Sequence, residues 1–390
     1  MLKVDLIYSS WITAPTGASH FVGRMKEMRS LFAKEGVDLR VISMDLVKER
    51  IYANTVSKPK LKSRIGLWLA KHSIILTRLA IYLVHDKPAN AILDYYDSLL
   101  DKGDVVAFQE TIPCYHYLKR RKDNNQKVLL TIHNNGDIWS MWYYLYPRLK
   151  SKFLGPFKKN IQNELFRDCD KIGFVADYPR RLFCQLYGVD DKKTYFAYTS
   201  IEKGDEPEPM VVGEKVHFIT SGTLGDRKNQ MGVLNAIGLL PDDYQQKIKY
   251  TILSNGDMRD ALEKKACSLK AEVIFTGKVD NVDEYLKQAN CFVLYSKDEG
   301  QPMSIVEAMR VGLPIVGSNI AGIPEQIVEG KTGFVVDLEE RNLAECIKYI
   351  VDHKEELPSM GKASYELFLS KFTIDAMVRK YATIYKSSVD

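Results

Sequence analysis

Apolar and polar positions along this chain fall into two repeating textures: continuous apolar blocks of six to eight residues, and longer stretches in which apolar residues recur at helical spacing. In the first half LKVDLIYS (2–9), DLRVISM (38–44), DVVAFQ (104–109), KVLLTIH (127–133) and KIGFVA (171–176) read as buried strands. In the second half KVHFITSG (215–222), IKYTILS (248–254), AEVIFTG (271–277), NCFVLYS (290–296) and LPIVGS (313–318) do the same. Strands that stay apolar on both faces and alternate with helices belong to parallel sheets covered on both sides, so the pattern predicts an α/β chain with two doubly wound sheets. Between the two sets, Glu202-Lys203-Gly204-Asp205-Glu206-Pro207-Glu208-Pro209 is acidic, proline-rich and free of apolar residues, which is linker composition. A length of 390 residues also exceeds what one hydrophobic core usually serves. The expected organisation is therefore a domain over 1–204, a second over 205–372, and a last helix in 373–390, from about Ile374 to Ser388.

Open α/β sheets bind ligands outside the carboxyl ends of their strands. One such end follows the block Cys291–Tyr295, where Glu299-Gly300-Gln301-Pro302 turns the chain and Pro302 and Ser304 open an amphipathic helix. The first N–H groups of that helix have no intrahelical partners and carry the positive end of its dipole, so a diphosphate can dock there. Two acids flank the entry, Glu299 and, eight positions on, Glu307. Glu299 also fits a solvated loop acid, and Ser304-Ile305-Val306-Glu307 also fits a capping box. A second strand end, Ser221–Gln230, is a glycine-containing turn with Thr223, Arg227 and Lys228, suited to phosphate or simply a surface turn. A third places His133 after KVLLTI, where a lone histidine is otherwise structural. The loop Thr13–Ser19, with Gly17, follows the first strand.

Residues Phe292–Val336, including GLPIVGSNIAGIPEQIVEGKTGFVV, together with the Glu-x7-Glu pair and its Gly300 and Pro302, resemble the donor-binding end of the family 4 retaining glycosyltransferases. The resemblance implies the GT-B fold: two Rossmann-like domains facing across a cleft, with the last helix packed back on the first domain. It implies transfer of a sugar from a nucleotide sugar, UDP-linked, with retained configuration, the acceptor hydroxyl attacking on the leaving-group face with help from the leaving phosphate. Glu299 would then hold donor-sugar hydroxyls and Glu307 the ribose, with Gly300, Gln301, Pro302, Met303 and Ser304 along the donor. Lys228 matches a family lysine on the diphosphate, but Thr223 stands where an arginine is usual, which leaves open whether Arg227 supplies the second cation. His133 would touch the donor sugar. The loop at Gly17, with one glycine where two are common, would border donor and acceptor.

Composition narrows the remaining classes. Apolar content of 45% and charged content of 27% are those of an ordinary globular chain. No run of 18 apolar residues occurs, and Met1–Tyr8 reads as a first strand with no cleavage site behind it, so a cytoplasmic protein is expected. Six cysteines without C-x-x-C spacing point to reduced, buried thiols. Asp168-Cys169-Asp170 spells a metal-binding D-x-D, yet it precedes a strand where such ligands should leave one; it reads as solvated, with no catalytic metal. Neither G-x-G-x-x-G nor a P-loop is present, and no cofactor is expected.

Charge is uneven: residues 1–200 hold 32 Lys and Arg against 20 Asp and Glu, and residues 201–390 hold 23 against 30. No nucleic-acid-binding signature accompanies the basic half. Lys48–Ile81 carries eight basic residues and one acid, and Arg64, Lys71 and Arg78 form a stripe beside Ile65, Trp68, Leu69, Ile75, Leu76, Leu79 and Tyr82. Trp139–Lys159 mixes Trp142, Tyr143, Tyr144 and Tyr146 with Arg148, Lys150, Lys152, Lys158 and Lys159. Each stretch also fits a core helix with a solvated face. Together they favour an anionic membrane surface and a lipid-linked or polysaccharide glycan acceptor. The rival functions are a nucleotide-sugar epimerase of the same fold and an inactive sugar-nucleotide-binding protein.

Overall fold

The structure is a computed structural model that describes residues 1–13, 17–51, 73–121 and 125–389. Its first sheet contains β1 (Leu2–Tyr8), β2 (Val37–Ser43), β3 (Val105–Phe108), β4 (Lys127–Ile132), β5 (Lys171–Phe174) and β6 (Thr194–Phe196), in the order β2-β1-β3-β4-β5-β6. The second contains β7 (Val216–Ser221), β8 (Ile248–Leu253), β9 (Glu272–Gly277), β10 (Cys291–Leu294), β11 (Ile315–Ser318) and β12 (Gly333–Val336), in the order β12-β11-β10-β7-β8-β9. Every strand pairing within the sheets is parallel. The ten apolar blocks form ten of these strands. The pattern missed β6 and β12, edge strands of three and four residues whose short apolar runs carry little periodic signal.

Parallel order with continuous burial is what the apolar blocks dictate. β3 and β10 are buried at every residue, and helices cover both faces of each sheet with Ile, Leu, Val and Phe. Strand order reverses between β1 and β3 in the first sheet and between β7 and β10 in the second. At such points the connecting helices leave on opposite faces and open a crevice at the carboxyl ends.

The chain divides into two compact units, Met1–Ala197 with Val378–Asp390, and Tyr198–Met377. The division falls before the acidic, proline-rich stretch because the chain is already tied into the second unit upstream of it. Tyr198 Oη donates to Glu325 (2.8 Å), and Ile201 exchanges backbone hydrogen bonds with Phe372 and Ile374 (3.1 Å each). The stretch 202–209 then runs along that unit, with Pro207 packed near Gly312. The last helix, Ile374–Lys386, completes the first unit by burying Tyr381 beside Phe21 and Tyr385 beside Phe32.

Several surface expectations change. Arg64, Ile65, Trp68, Leu69 and Lys71 lie outside the described residues. Arg78, on the helix Ile74–Ile81, is not a free surface cation: Nη1 lies 2.9 Å from Asp86 Oδ2, and the guanidinium sits 4.1 Å over the Phe157 ring. Asp86 is buried and also accepts from His116 Nε2 (2.8 Å), so the arginine answers a buried carboxylate. Of the aromatic cluster at 142–146, Tyr146 is buried in the core while Tyr144 points outward. Cys114, Cys169 and Cys291 are buried, but Cys267 is exposed. Asp168 and Asp170 are engaged more than a solvated reading allows: Asp168 pairs with Arg167, and Asp170 accepts from Val128 N–H (2.9 Å) and lies 3.2 Å from Lys127 Nζ. No helix among the described residues is long and apolar enough to cross a membrane.

Candidate functional site

In the second unit the crevice between β7 and β10 gathers the loop 222–229 and the turn 296–302. The loop is fixed from below, where Leu224 N–H bonds Asn255 O (3.1 Å) and Met258 N–H bonds Leu224 O (3.2 Å). Gly256 permits this approach, since a Cβ there would fall 2.1 Å from Leu224 O. From the β10 side, Lys297 N–H donates to Arg227 O (2.8 Å) and Lys297 Nζ pairs with Asp226 (2.5 Å). Gly222, at φ 145°, lets the aliphatic part of Lys228 fold across it, because a Cβ would stand 3.1 Å from Lys228 Cε.

The charged centre follows from that folding. Glu299, 8% exposed, presents Oε1 to Lys228 Nζ at 2.7 Å and to Arg227 Nη1 at 2.9 Å. Lys228 is 12% exposed and Arg227 43%, and Arg227 is further held by Asp298 O (2.9 Å). Two cations sharing one carboxylate at a strand end leave a net positive centre. Thr223 is exposed, and its carbonyl accepts from the Gln230 side chain (3.3 Å); Arg227 is the second cation beside Lys228.

Next to this centre the helix Met303–Arg310 begins with Pro302 as its N-cap and no side-chain cap. Ser304 therefore lies inside the first turn and is not the capping residue that the capping-box reading requires. Its Oγ is buried and without a hydrogen-bond partner. Glu307, half-buried, sits one turn further on. The Gln301 side-chain amide brackets Thr199, accepting from the backbone N–H (2.6 Å) and donating to the carbonyl (2.9 Å). Gly300 O accepts from Gly322 N–H (3.1 Å), and Met303 packs against the apolar core.

In the first unit a separate cavity of about 220 Å³ opens at the carboxyl ends of β3 and β4. His133 lines it and donates from Nε2 to Gln109 Oε1 (2.7 Å). Burial pushes the His133 imidazole down to about 4, so it is neutral at pH 7, and with a carbonyl partner the proton resides on Nε2. Sequence reasoning passed over Gln109 and Glu110, although they are the first polar pair after the apolar block VVAF. Glu110 receives three hydrogen bonds from the end of β1: Ser9 N–H (2.7 Å), Ser9 Oγ (2.7 Å) and Ser10 Oγ (2.8 Å). Burial, the larger influence, still pushes its carboxyl above the usual range. Gln109 is 4% exposed and its Nε2 has no partner. Gly17 begins the helix Gly17–Glu27; the three residues before it lie outside the described ones.

Comparison with known proteins agrees with this division. Residues 205–367 match the family model described as Glycosyl transferases group 1. Over 122 residues the chain is 31% identical to the N-acetyl-alpha-D-glucosaminyl L-malate synthase of Bacillus anthracis, a stretch that covers 31% of this chain and 32% of that protein. Over 234 residues it is 28% identical to the UDP-Gal:alpha-D-GlcNAc-diphosphoundecaprenol alpha-1,3-galactosyltransferase of Escherichia coli, covering 57% and 56%. The first relatives are thus matched over a quarter to a half of their own lengths, 24% to 50%. Among solved structures, Anabaena HepE in complex with UDP superposes with a TM-score of 0.67 at 14% identity, covering 99% of this chain and 100% of that one. The fold is GT-B, with two Rossmann-like units.

Proposed function

We propose, from the match of residues 205–367 to the group 1 glycosyltransferase model, that the chain moves a sugar from a nucleotide sugar, UDP-linked, to a lipid-linked or polysaccharide glycan with retained anomeric configuration. The observation that carries this reading is the Glu299 carboxylate held between Lys228 and Arg227, beside the uncapped start of the helix Met303–Arg310. Breaking the bond from sugar C1 to a diphosphate leaves a developing anion and an oxocarbenium-like ring. Lys228, Arg227 and the helix N–H groups meet the anion where it forms, which is the kind of preorganised stabilisation that lowers such barriers most. The orphaned Ser304 Oγ adds a donor at the same helix start. Glu299 then accepts hydroxyls of the departing sugar and Glu307 those of the ribose.

The cations come from the protein, so the reaction proceeds without a divalent metal, and Asp168 and Asp170 take no part. The acceptor hydroxyl attacks from the face the phosphate leaves, and the leaving phosphate takes its proton. The UDP-linked donor and the lipid-linked acceptor agree with the names of the matched galactosyltransferase and of the UDP complex. A peripheral position on anionic membrane is supported by Tyr144 and Phe153, 75% and 73% exposed, on a segment that also carries Arg148, Lys150 and Lys152.

A thermal-shift panel of nucleotides and nucleotide sugars, followed by mass spectrometry of lipid-extract products, tests the reading. It expects a UDP-sugar to raise Tm and a lipid glycan to gain one hexose-type residue. Stabilisation by GDP-sugars alone would replace the donor, and no shift with any nucleotide would remove the function.

A further inference from the structure

The turn that carries Glu299 is held from two sides by different kinds of contact. On the side of the loop 222–229 the contacts are ionic: Glu299 Oε1 meets Lys228 Nζ (2.7 Å) and Arg227 Nη1 (2.9 Å), and the same guanidinium reaches Asp298 O (2.9 Å). The other side is neutral. Gln301 stands two residues beyond Glu299, and its amide pairs with both backbone groups of one residue, accepting from Thr199 N–H (2.6 Å) and donating to Thr199 O (2.9 Å). Gln301 and Thr199 are 9% and 7% exposed, so breaking the pair would strand buried polar groups on both. Two backbone carbonyls of the same turn are engaged as well, Gly300 O by Gly322 N–H (3.1 Å) and Pro302 O by Gln326 Nε2 (3.3 Å).

Thr199 is a firm point of attachment, and it lies with Gln301 in the second unit. Its neighbour Tyr198 donates from Oη to Glu325 (2.8 Å) and sets its ring 5.0 Å from that of Phe372. Ile201 is buried in the same cluster as Ile305 and Met309 and exchanges backbone hydrogen bonds with Phe372 and Ile374. Gln301 therefore fastens the turn to buried, doubly bonded backbone. The two attachments differ in how they answer an arriving diphosphate. On the proposed reading Lys228 and Arg227 turn to the phosphates, so the ionic attachment weakens at the moment Glu299 must hold the sugar hydroxyls. The amide pair carries no net charge, and phosphate does not compete for it.

Resting on the glycosyltransferase reading for its role, we propose that Gln301 is a positioning residue for the transfer step, whose pairing with Thr199 keeps the Glu299 turn in place once the cations have turned to the diphosphate. Gln301 acts through Glu299, and the donor is not its partner.

Amide hydrogen exchange over residues 296–302 of the full chain tests the attachment without ligand or turnover. Four proteins are compared: the parent, Glu299→Gln, Gln301→Met and the double variant. Each single change leaves one attachment, so exchange in the turn should rise modestly in either and, in the double variant, by more than the product of the two. Effects that simply multiply would overturn the proposal. Turnover is then measured with UDP-glucose, UDP-galactose and UDP-N-acetylglucosamine, and binding with UDP alone. Gln301→Met should lower kcat by about 10²-fold, the scale of an ångström of misplacement, with UDP affinity unchanged. A raised KM with kcat intact would make Gln301 a donor contact and overturn the assignment. Gln301→Glu supplies the rescue, because a protonated carboxyl accepts from Thr199 N–H and donates to Thr199 O as the amide does, and burial favours that form. Its kcat relative to the parent at the same pH should rise as pH falls from about 8 toward 5, and a flat ratio would show that the pairing does not carry the effect. If the parent transfers no sugar, the proposed activity falls, and the exchange comparison alone decides whether Gln301 fastens the turn.

Discussion

Replacing Glu299 with glutamine should push nucleotide binding and sugar transfer in opposite directions. Oε1 lies 2.7 Å from Lys228 Nζ and 2.9 Å from Arg227 Nη1, so the carboxylate engages both cations that the proposed reaction assigns to a diphosphate. A diphosphate arriving about 6 Å from that carboxylate meets a repulsion of roughly 3 kcal/mol per unit charge at an effective dielectric near 20. Arg227 is 43% exposed, so solvent and salt screen the site, and the net effect falls to on the order of 1–2 kcal/mol. Glu299→Gln keeps the shape and removes the charge, and UDP should bind about tenfold tighter. The same change weakens the hold on the sugar hydroxyls as the bond breaks, so transfer should fall by roughly 10²-fold. Calorimetric titration with UDP at two salt concentrations, paired with turnover followed by nucleotide release, reads both effects. Without ligand the variant should melt lower, because Lys228, 12% exposed, loses its carboxylate. Added UDP should then raise its Tm more than that of the parent. Equal or weaker UDP binding by the variant would refute the claim that Glu299 competes with the diphosphate for these cations.

Lys228→Ala should cut turnover by roughly 10²-fold, whereas Glu307→Ala should mainly weaken UDP binding by about 1–3 kcal/mol; a lower Tm with unchanged UDP affinity in the latter would make Glu307 a helix-stabilising residue only. His85 and His133 are held neutral by burial, with pKa values pushed down to about 4. Both values lie below the unfolded histidine value, so their contribution to stability is complete above about pH 6.5 and is lost as pH falls toward 4. Tm should drop over that window and drop less in His133→Asn; a flat profile would contradict neutral, buried imidazoles. Excess EDTA should leave transfer intact, and activity lost to EDTA and restored by Mn²⁺ would bring a metal into the site. Changing Lys150 and Lys152 to Glu together with Phe153 to Ser should release the protein from anionic liposomes at low salt without altering UDP affinity, since each basic residue near such a surface is worth about 1 kcal/mol. Co-sedimentation that does not change would remove the membrane contact from this segment.

The charged centre of the second unit was legible in part because several of its pieces are close in sequence. Glu299 and Glu307 sit on one strand-turn-helix unit, and the strand Cys291–Leu294 and the helix Met303–Arg310 are announced by their apolar patterns. Lys228 was legible through the glycine turn that precedes it, but its ion pair with Glu299 joins residues brought together only by the neighbouring positions of β7 and β10. The cavity of the first unit was not legible for the same reason. Glu110 is fixed by Ser9 and Ser10 from the end of β1, and Gln109 by His133 at the end of β4. Arg78 shows the opposite failure: a regular spacing of cations suggested a solvated stripe, and the structure gives that residue a buried carboxylate, Asp86, two turns along the same helical run. Gln301 was placed along the donor by position alone, and its side-chain amide is engaged by the Thr199 backbone, a partner 102 residues away that no local pattern announces.

Proton NMR of the complete reaction follows directly whether a sugar passes from a nucleotide donor to an acceptor with its configuration kept. The full chain is incubated with a UDP-sugar and with a membrane lipid extract or a neutral methyl glycoside as acceptor. UDP should appear in step with a new glycoside whose anomeric coupling matches that of the donor. An inverted product would contradict retention. A donor sugar epimerised or hydrolysed at the same rate with and without acceptor would contradict glycosyl transfer itself.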